Sequence, residues 1–261
     1  MYRLLIITGK DALRDMFAEM RPALGFKAPH FRRNLEGVKD CLQKHRIDAI
    51  ALDDFDGAEE CKAYLQENDP DVPFFTLCST WEEQERVLQE LGRLLLRLDA
   101  DDVNGQYDRH SVLMVQRERW IRRLLSGLVP REDVERHLLL YRYDCATNLP
   151  CVFARMSIPE DDDFLSERWH YGADRLQTAL LNFFGEEHGG VRMHLAVLSP
   201  QEVRLLCVPR DLRTPPNEKM VTEYVQETVN QIEHYLGLRM SINQIRTIRG
   251  LEDFNETRTA Q

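Results

Sequence analysis

Few side chains in this sequence stand where their type and spacing could do chemistry. Asp53 follows the buried-type strand stretch 47–52. Asp161, Asp162 and Asp163 could hold a cation, but three adjacent carboxylates in a polar loop read as a solvated turn. Glu186, Glu187, His188 and His194 are metal-ligating types, yet Gly189 and Gly190 fall among them as a helix end, which works against one shared geometry. Arg109, Arg117, Arg119, Arg122 and Arg123 form a basic cluster. Beside an apolar helix face, such arginines line the flanks of a helix pair. The sequence contains no GxxxxGK[ST], GxSxG or HExxH motif. No enzyme, cofactor or metal is expected.

The composition bounds what must position these residues. At 261 residues the chain exceeds one domain of roughly 150 residues, and 43% hydrophobic with 30% charged residues suits globular cores. Its 34 Lys and Arg against 44 Asp and Glu give a formal charge of -10, which repels a polyanion, so direct nucleic-acid binding is not expected. No apolar run exceeds four residues, against roughly 20 for a membrane-spanning helix. Lys10 and Asp11 interrupt what could otherwise serve as a signal peptide, and a cytoplasmic location is expected. The six cysteines form no CxxC pair and sit mostly in apolar stretches, as small hydrophobes do.

Apolar bursts and helix-period stretches alternate from the start. Strands are expected at 4–7, 27–32, 47–52, 72–78 and 94–98, and helices at 12–24, around 35–42, 58–65 and 81–91. That alternation predicts a doubly wound α/β domain, a parallel sheet covered on both faces, over 1–104. A polar run through Asp101, Asp102, Asn104 and Gly105 marks its end. A linker region, 105–130, carries an amphipathic helix at 112–128, in which Met114, Ile121, Leu124, Leu125 and Leu128 lie near a heptad seam. These residues are the expected contact of a homodimer. Over 131–261, after a first helix at 131–143, the order is strand 151–158, helix 164–184, strands 191–198 and 202–208, helix 216–236 and strand 238–248. This βαββαβ order is the split pattern of ferredoxin-like α+β sandwiches.

The opening MYRLLIITGK resembles the first strand of bacterial receiver domains, and RIDAIALDDFDG resembles their third strand. The segment ERWIRRLLSGLV and the closing SINQIRTIRGLEDF are similar to the middle region of AraC-type (YesN-like) two-component response regulators, in which a degenerate GGDEF-like domain follows the receiver. The resemblance implies a flavodoxin-like first domain with Asp53 at the phosphoacceptor position. It also places Thr8 and Gly9 where working receivers carry acidic metal ligands, Cys78 at the hydroxyl position of strand four, and Arg97 at the lysine of strand five. Phosphoryl transfer to aspartate requires a divalent cation, so these replacements imply a pseudo-receiver. An active cyclase would carry Gly-Gly-Asp/Glu-Glu-Phe in a hairpin that here reads Ser199, Pro200, Gln201, Glu202 and Val203.

The function so implied is non-catalytic signalling through protein contacts, with a sensor kinase or another protein as partner. In the family a helix-turn-helix domain of roughly a hundred residues follows, a size the chain does not hold after Phe254. DNA contact is therefore expected only through a domain outside this chain. The alternatives are a sensor of a nucleotide-like small molecule and a stand-alone interaction module.

Overall fold

The structure, a computed structural model, describes residues 1–18, 24–69, 71–103, 108–143, 145, 148–159, 164–169, 171, 173–199, 202–210, 217–251 and 254. The fold is mixed α/β, with a three-stranded parallel sheet and a five-stranded antiparallel sheet. It divides into two compact units, Met1–Glu118 with Glu135–Tyr143, and Arg119–Val134 with Asp144–Gln261.

In the first unit β1 (Leu4–Ile7), β2 (His30–Arg32) and β3 (Ala49–Leu52) lie in the order β2-β1-β3. β1 and β3 are apolar throughout because both faces of the sheet are covered. Leu4, Ile6, Ala49 and Ala51 pack with α1 (Asp11–Ala18) and α4 (Trp81–Val103) on one side. Leu5, Ile7 and Ile50 pack with α2 (Leu35–Lys44) and α3 (Ala58–Asn68) on the other. The Asn34 side chain caps α2, accepting from the Gly37 amide at 2.9 Å.

The first domain departs from the sequence expectation in two places. The expected strand 72–78 contributes only a single parallel bridge, Phe74 to Ile50, held by Phe75 N donating to Ile50 O at 2.9 Å. Beyond it the buried Gln84 side chain takes over: its Oε1 accepts from Cys78 N at 2.9 Å, and its Nε2 donates to Thr76 O at 3.2 Å. The expected strand 94–98 is helix, the continuation of α4. Leu91, Leu94, Leu95 and Leu98 are buried while Leu96 is 63% exposed, the phase of a helix rather than a strand.

α5 (Arg109–Leu125) and α6 (Arg131–Leu140) follow. Within the first unit Arg97 Nη1 on α4 donates to Gln116 Oε1 on α5 at 3.0 Å. His137 Nε2 on α6 lies 2.7 Å from Glu90 Oε1 on α4, with Arg136 3.2 Å from the second carboxylate oxygen.

The second unit carries β4 (Cys151–Ser157), α7 (Ala173–Phe184), the short β5 (Glu187–His188), β6 (Val191–Ser199), β7 (Glu202–Pro209), α8 (Glu218–Leu236) and β8 (Ser241–Ile248). The sheet order is β5-β6-β7-β4-β8, antiparallel throughout. α7 and α8 bury one face against Val152, Ala154, Met156, Leu195, Val203 and Leu205. Gly237 ends α8 at φ 71, a left-handed cap that glycine adopts without steric cost. The single helix expected over 164–184 is instead a π-helical turn, Phe164–Arg168, followed by the separate α7.

Candidate functional site

The parallel sheet brings Thr8 and Asp53 together at its carboxyl end. Asp53 N donates to Ile7 O at 2.9 Å and Thr8 N to Arg32 O at 3.0 Å, so the two residues extend adjacent strands. In open α/β sheets the carboxyl ends of the strands are where ligands bind. The Thr8 hydroxyl accepts from Lys10 N at 3.0 Å, a local turn, and donates to Asp53 Oδ2 at 2.9 Å. That turn directs Lys10 back across the edge, where its Nζ donates to Asp53 Oδ1 at 3.0 Å. Asp54 N donates to the same oxygen at 2.9 Å.

Asp53 thus sits under a hydroxyl, an amide and an ammonium. Its side chain is 13% exposed, while that of Lys10 is 63% exposed. Burial pushes the Asp53 carboxyl up, but hydrogen bonds from Lys10, Thr8 and Asp54 and the Lys10 charge together hold it below its ordinary value. The pair opens onto a cleft of about 490 Å³ lined by Leu13, Met16, Leu77, Cys78, Ser79 and Trp81. Burial raises the Cys78 thiol, so the side chain at the expected hydroxyl position is not a ready nucleophile.

The other residues singled out in the sequence lie elsewhere. With 94–98 helical, Arg97 stands on α4 and engages Gln116 rather than closing a strand toward Asp53. In the β6–β7 hairpin Ser199 pairs with Glu202, and Val203 is buried opposite Val197 and Met156. Pro200 and Gln201 lie outside the described residues. Glu202 is occupied: Arg204 Nε donates to its Oε1 at 2.8 Å, and Arg155 Nε lies 3.7 Å from the same oxygen. Ile121, Leu124 and Leu125 are buried within the chain itself, and Met114 is half-buried among core residues of the first unit. Leu128 follows the end of α5 and is 60% exposed.

The remaining candidates do not converge. Asp161, Asp162 and Asp163, like Asn104 and Gly105, lie outside the described residues. Glu187 is held by Arg192 at 3.3 Å and Arg210 at 2.5 Å, His188 stacks on Tyr224, and His194 is buried in β6. Arg109 meets Asp48 at 3.9 Å and Arg117 is buried near Tyr143, while Arg119 and Arg123 face outward. Among the described residues no group of three or more His, Cys, Asp or Glu side chains could hold a metal ion. Nor is any helix among them long and apolar enough to cross a membrane.

Lys10 is the site residue that sequence reasoning missed. The available signal was its position, two residues past Thr8 at the end of β1, where a flexible cation reaches the next strand. Comparison of the sequence with models of protein families and with curated proteins finds no match.

Proposed function

We propose that the chain is the non-catalytic signalling portion of an atypical response regulator: a flavodoxin-like pseudo-receiver, a connecting helix and a degenerate GGDEF-like domain. One observation carries this reading. The carboxylate at the acceptor position already holds an internal ammonium, Lys10 Nζ at 3.0 Å. A receiver that works by phosphorylation needs that charge neutralised by a divalent cation, which also binds the incoming phosphoryl oxygens. A lysine supplies the neutralisation without open coordination positions, and Thr8 adds a donor in place of a second carboxylate.

The strand order β2-β1-β3, with Phe74 bridged beyond β3, supports the flavodoxin-like assignment. The order β6-β7-β4-β8 within the antiparallel sheet supports the ferredoxin-like one. On this reading the protein works in the cytoplasm by contacts with a kinase or another protein and reaches DNA only through a separate domain; the homodimer expected from α5 loses its seam, since Ile121, Leu124 and Leu125 are buried within the chain.

Calorimetric titration with magnesium tests the proposal. No saturable heat is expected at millimolar concentrations. Saturable binding that disappears in Asp53→Asn would show a working metal site and overturn the pseudo-receiver reading.

A further inference from the structure

The two faces of the antiparallel sheet differ in character. α7 and α8 cover one; the other is buried around Phe153, Leu206 and Val208, with Phe254 against the Phe153 ring, and carries charge beside them. Arg155 of β4 lies directly opposite Arg204 of β7, and Phe153, two residues back along β4, lies opposite Arg246 of β8. Directly paired residues share a face, so three guanidinium groups rise from three adjacent strands on the same side. Like charges placed this way repel, and the arrangement persists at a cost unless an anion offsets it.

The described residues offer little offset. Among the described residues Glu202 is the one carboxylate paired with the cluster, through Arg204 at 2.8 Å and Arg155 at 3.7 Å, the latter too long for a hydrogen bond. Arg246 forms no ion pair with any described residue, and its guanidinium lies 5.4 Å from the Phe153 ring centroid. The Nε atoms of Arg155 and Arg246 are buried without a hydrogen-bond partner. Burial, and then the Arg204 charge, pull the Arg246 guanidinium below its ordinary value. Yet the cluster is open to solvent: Arg155 is 35% and Arg204 22% exposed, and Gln244, paired with Arg155, is exposed beside them.

We propose that Arg155, Arg204 and Arg246 form a binding site for a phosphate-bearing small molecule on this face of the sheet. Among the described residues, three cations against one carboxylate leave an excess of two positive charges, which a phosphate dianion matches and a monocarboxylate does not. Planar guanidinium forks suit the oxygens of a phosphate, and Gln244 adds an amide donor at the rim. Occupancy bears on the connecting helix as well, because Arg204 Nη1 also donates to the carbonyl of Leu125, the last residue of α5. A bound anion competes for the guanidinium that caps this helix end. The site goes beyond the pseudo-receiver reading and does not depend on it.

The test uses the full chain, with inorganic phosphate and a sugar phosphate as separate ligands and potassium chloride at matched ionic strength as control. Thermal unfolding is expected to shift upward with phosphate and not with chloride, and calorimetry to show saturable binding. Arg155→Gln and Arg246→Gln should each weaken binding by about tenfold or more, the scale of a lost charge-assisted hydrogen bond. Arg246→Lys, which keeps the charge without the fork, should fall between. Binding of both ligands identifies the phosphate group as the recognised chemistry, and binding of inorganic phosphate alone identifies the free ion. The proposal fails if neither ligand binds the wild type, or if both glutamine variants bind as tightly as it does.

Discussion

Glu90 and His137, 47 residues apart in sequence, meet at 2.7 Å between α4 and α6. Burial pushes the Glu90 carboxyl up, but the His137 hydrogen bond and the charges of His137 and Arg136 prevail, holding it below its ordinary value. Glu90→Gln should therefore lower stability by about 1–2 kcal/mol at neutral pH, the scale of a charge-assisted hydrogen bond reduced to a neutral one. Because the folded value is depressed, the wild-type advantage is present above the unfolded value of about 4.3 and is lost as pH falls through the folded one. Urea denaturation across that range measures it. A difference that stays constant from neutral to strongly acidic pH contradicts this account of the pair.

Lys10→Met should raise the Asp53 carboxyl. The ammonium and its hydrogen bond are two of the influences that lower it, and burial, which raises it, remains. Carbon-detected NMR titration of the aspartate carboxyls reads the shift directly. An unchanged Asp53 midpoint would mean that the 3.0 Å contact is not populated in solution.

The apolar residues on α5 make a different prediction from the one their spacing suggested. Ile121, Leu124 and Leu125 are buried within one chain. Ile121→Asp should thus destabilise the fold itself, by on the order of 3–5 kcal/mol for an uncompensated buried charge. Denaturation paired with light scattering separates the outcomes. A variant that remains as stable as the wild type and merely changes from dimer to monomer would show that the seam is intermolecular.

Cys151 and Cys207 should resist alkylation in the native state. Burial, the larger influence in each, pushes both thiols up to about 12, leaving almost no thiolate at mildly alkaline pH. Iodoacetamide labelling followed by peptide mass mapping should show modification at these two positions only after denaturation. Rapid native labelling of either would contradict their burial in the sheet.

The readable parts of the sequence were those whose pattern had one physical solution. LLII and AIAL, apolar at every position, fit strands covered on both sides, and the alternation from 191 onward fits a hairpin with one face under helices. The run RLLLRL misleads because three consecutive leucines match a buried strand when taken alone. Their helical nature shows only when Leu88 and Leu91 are included, since 88, 91, 95 and 98 fall on one face. The strand expected at 72–78 shrank for a reason no local pattern carries: Gln84, several residues on, captures the backbone groups a sheet neighbour would take. The candidate site was half legible. Asp53 and Thr8 follow from strand ends, whereas Lys10, two residues past Thr8, reaches Asp53 only through the Thr8 turn.

The Asp53 carboxylate is committed to Lys10 and Thr8 and is expected not to accept a phosphoryl group. Incubation of the intact protein with acetyl phosphate and magnesium, followed by whole-protein mass spectrometry, tests this most directly. The account predicts an unchanged mass. Addition of a single phosphoryl group that is absent in Asp53→Asn would contradict it.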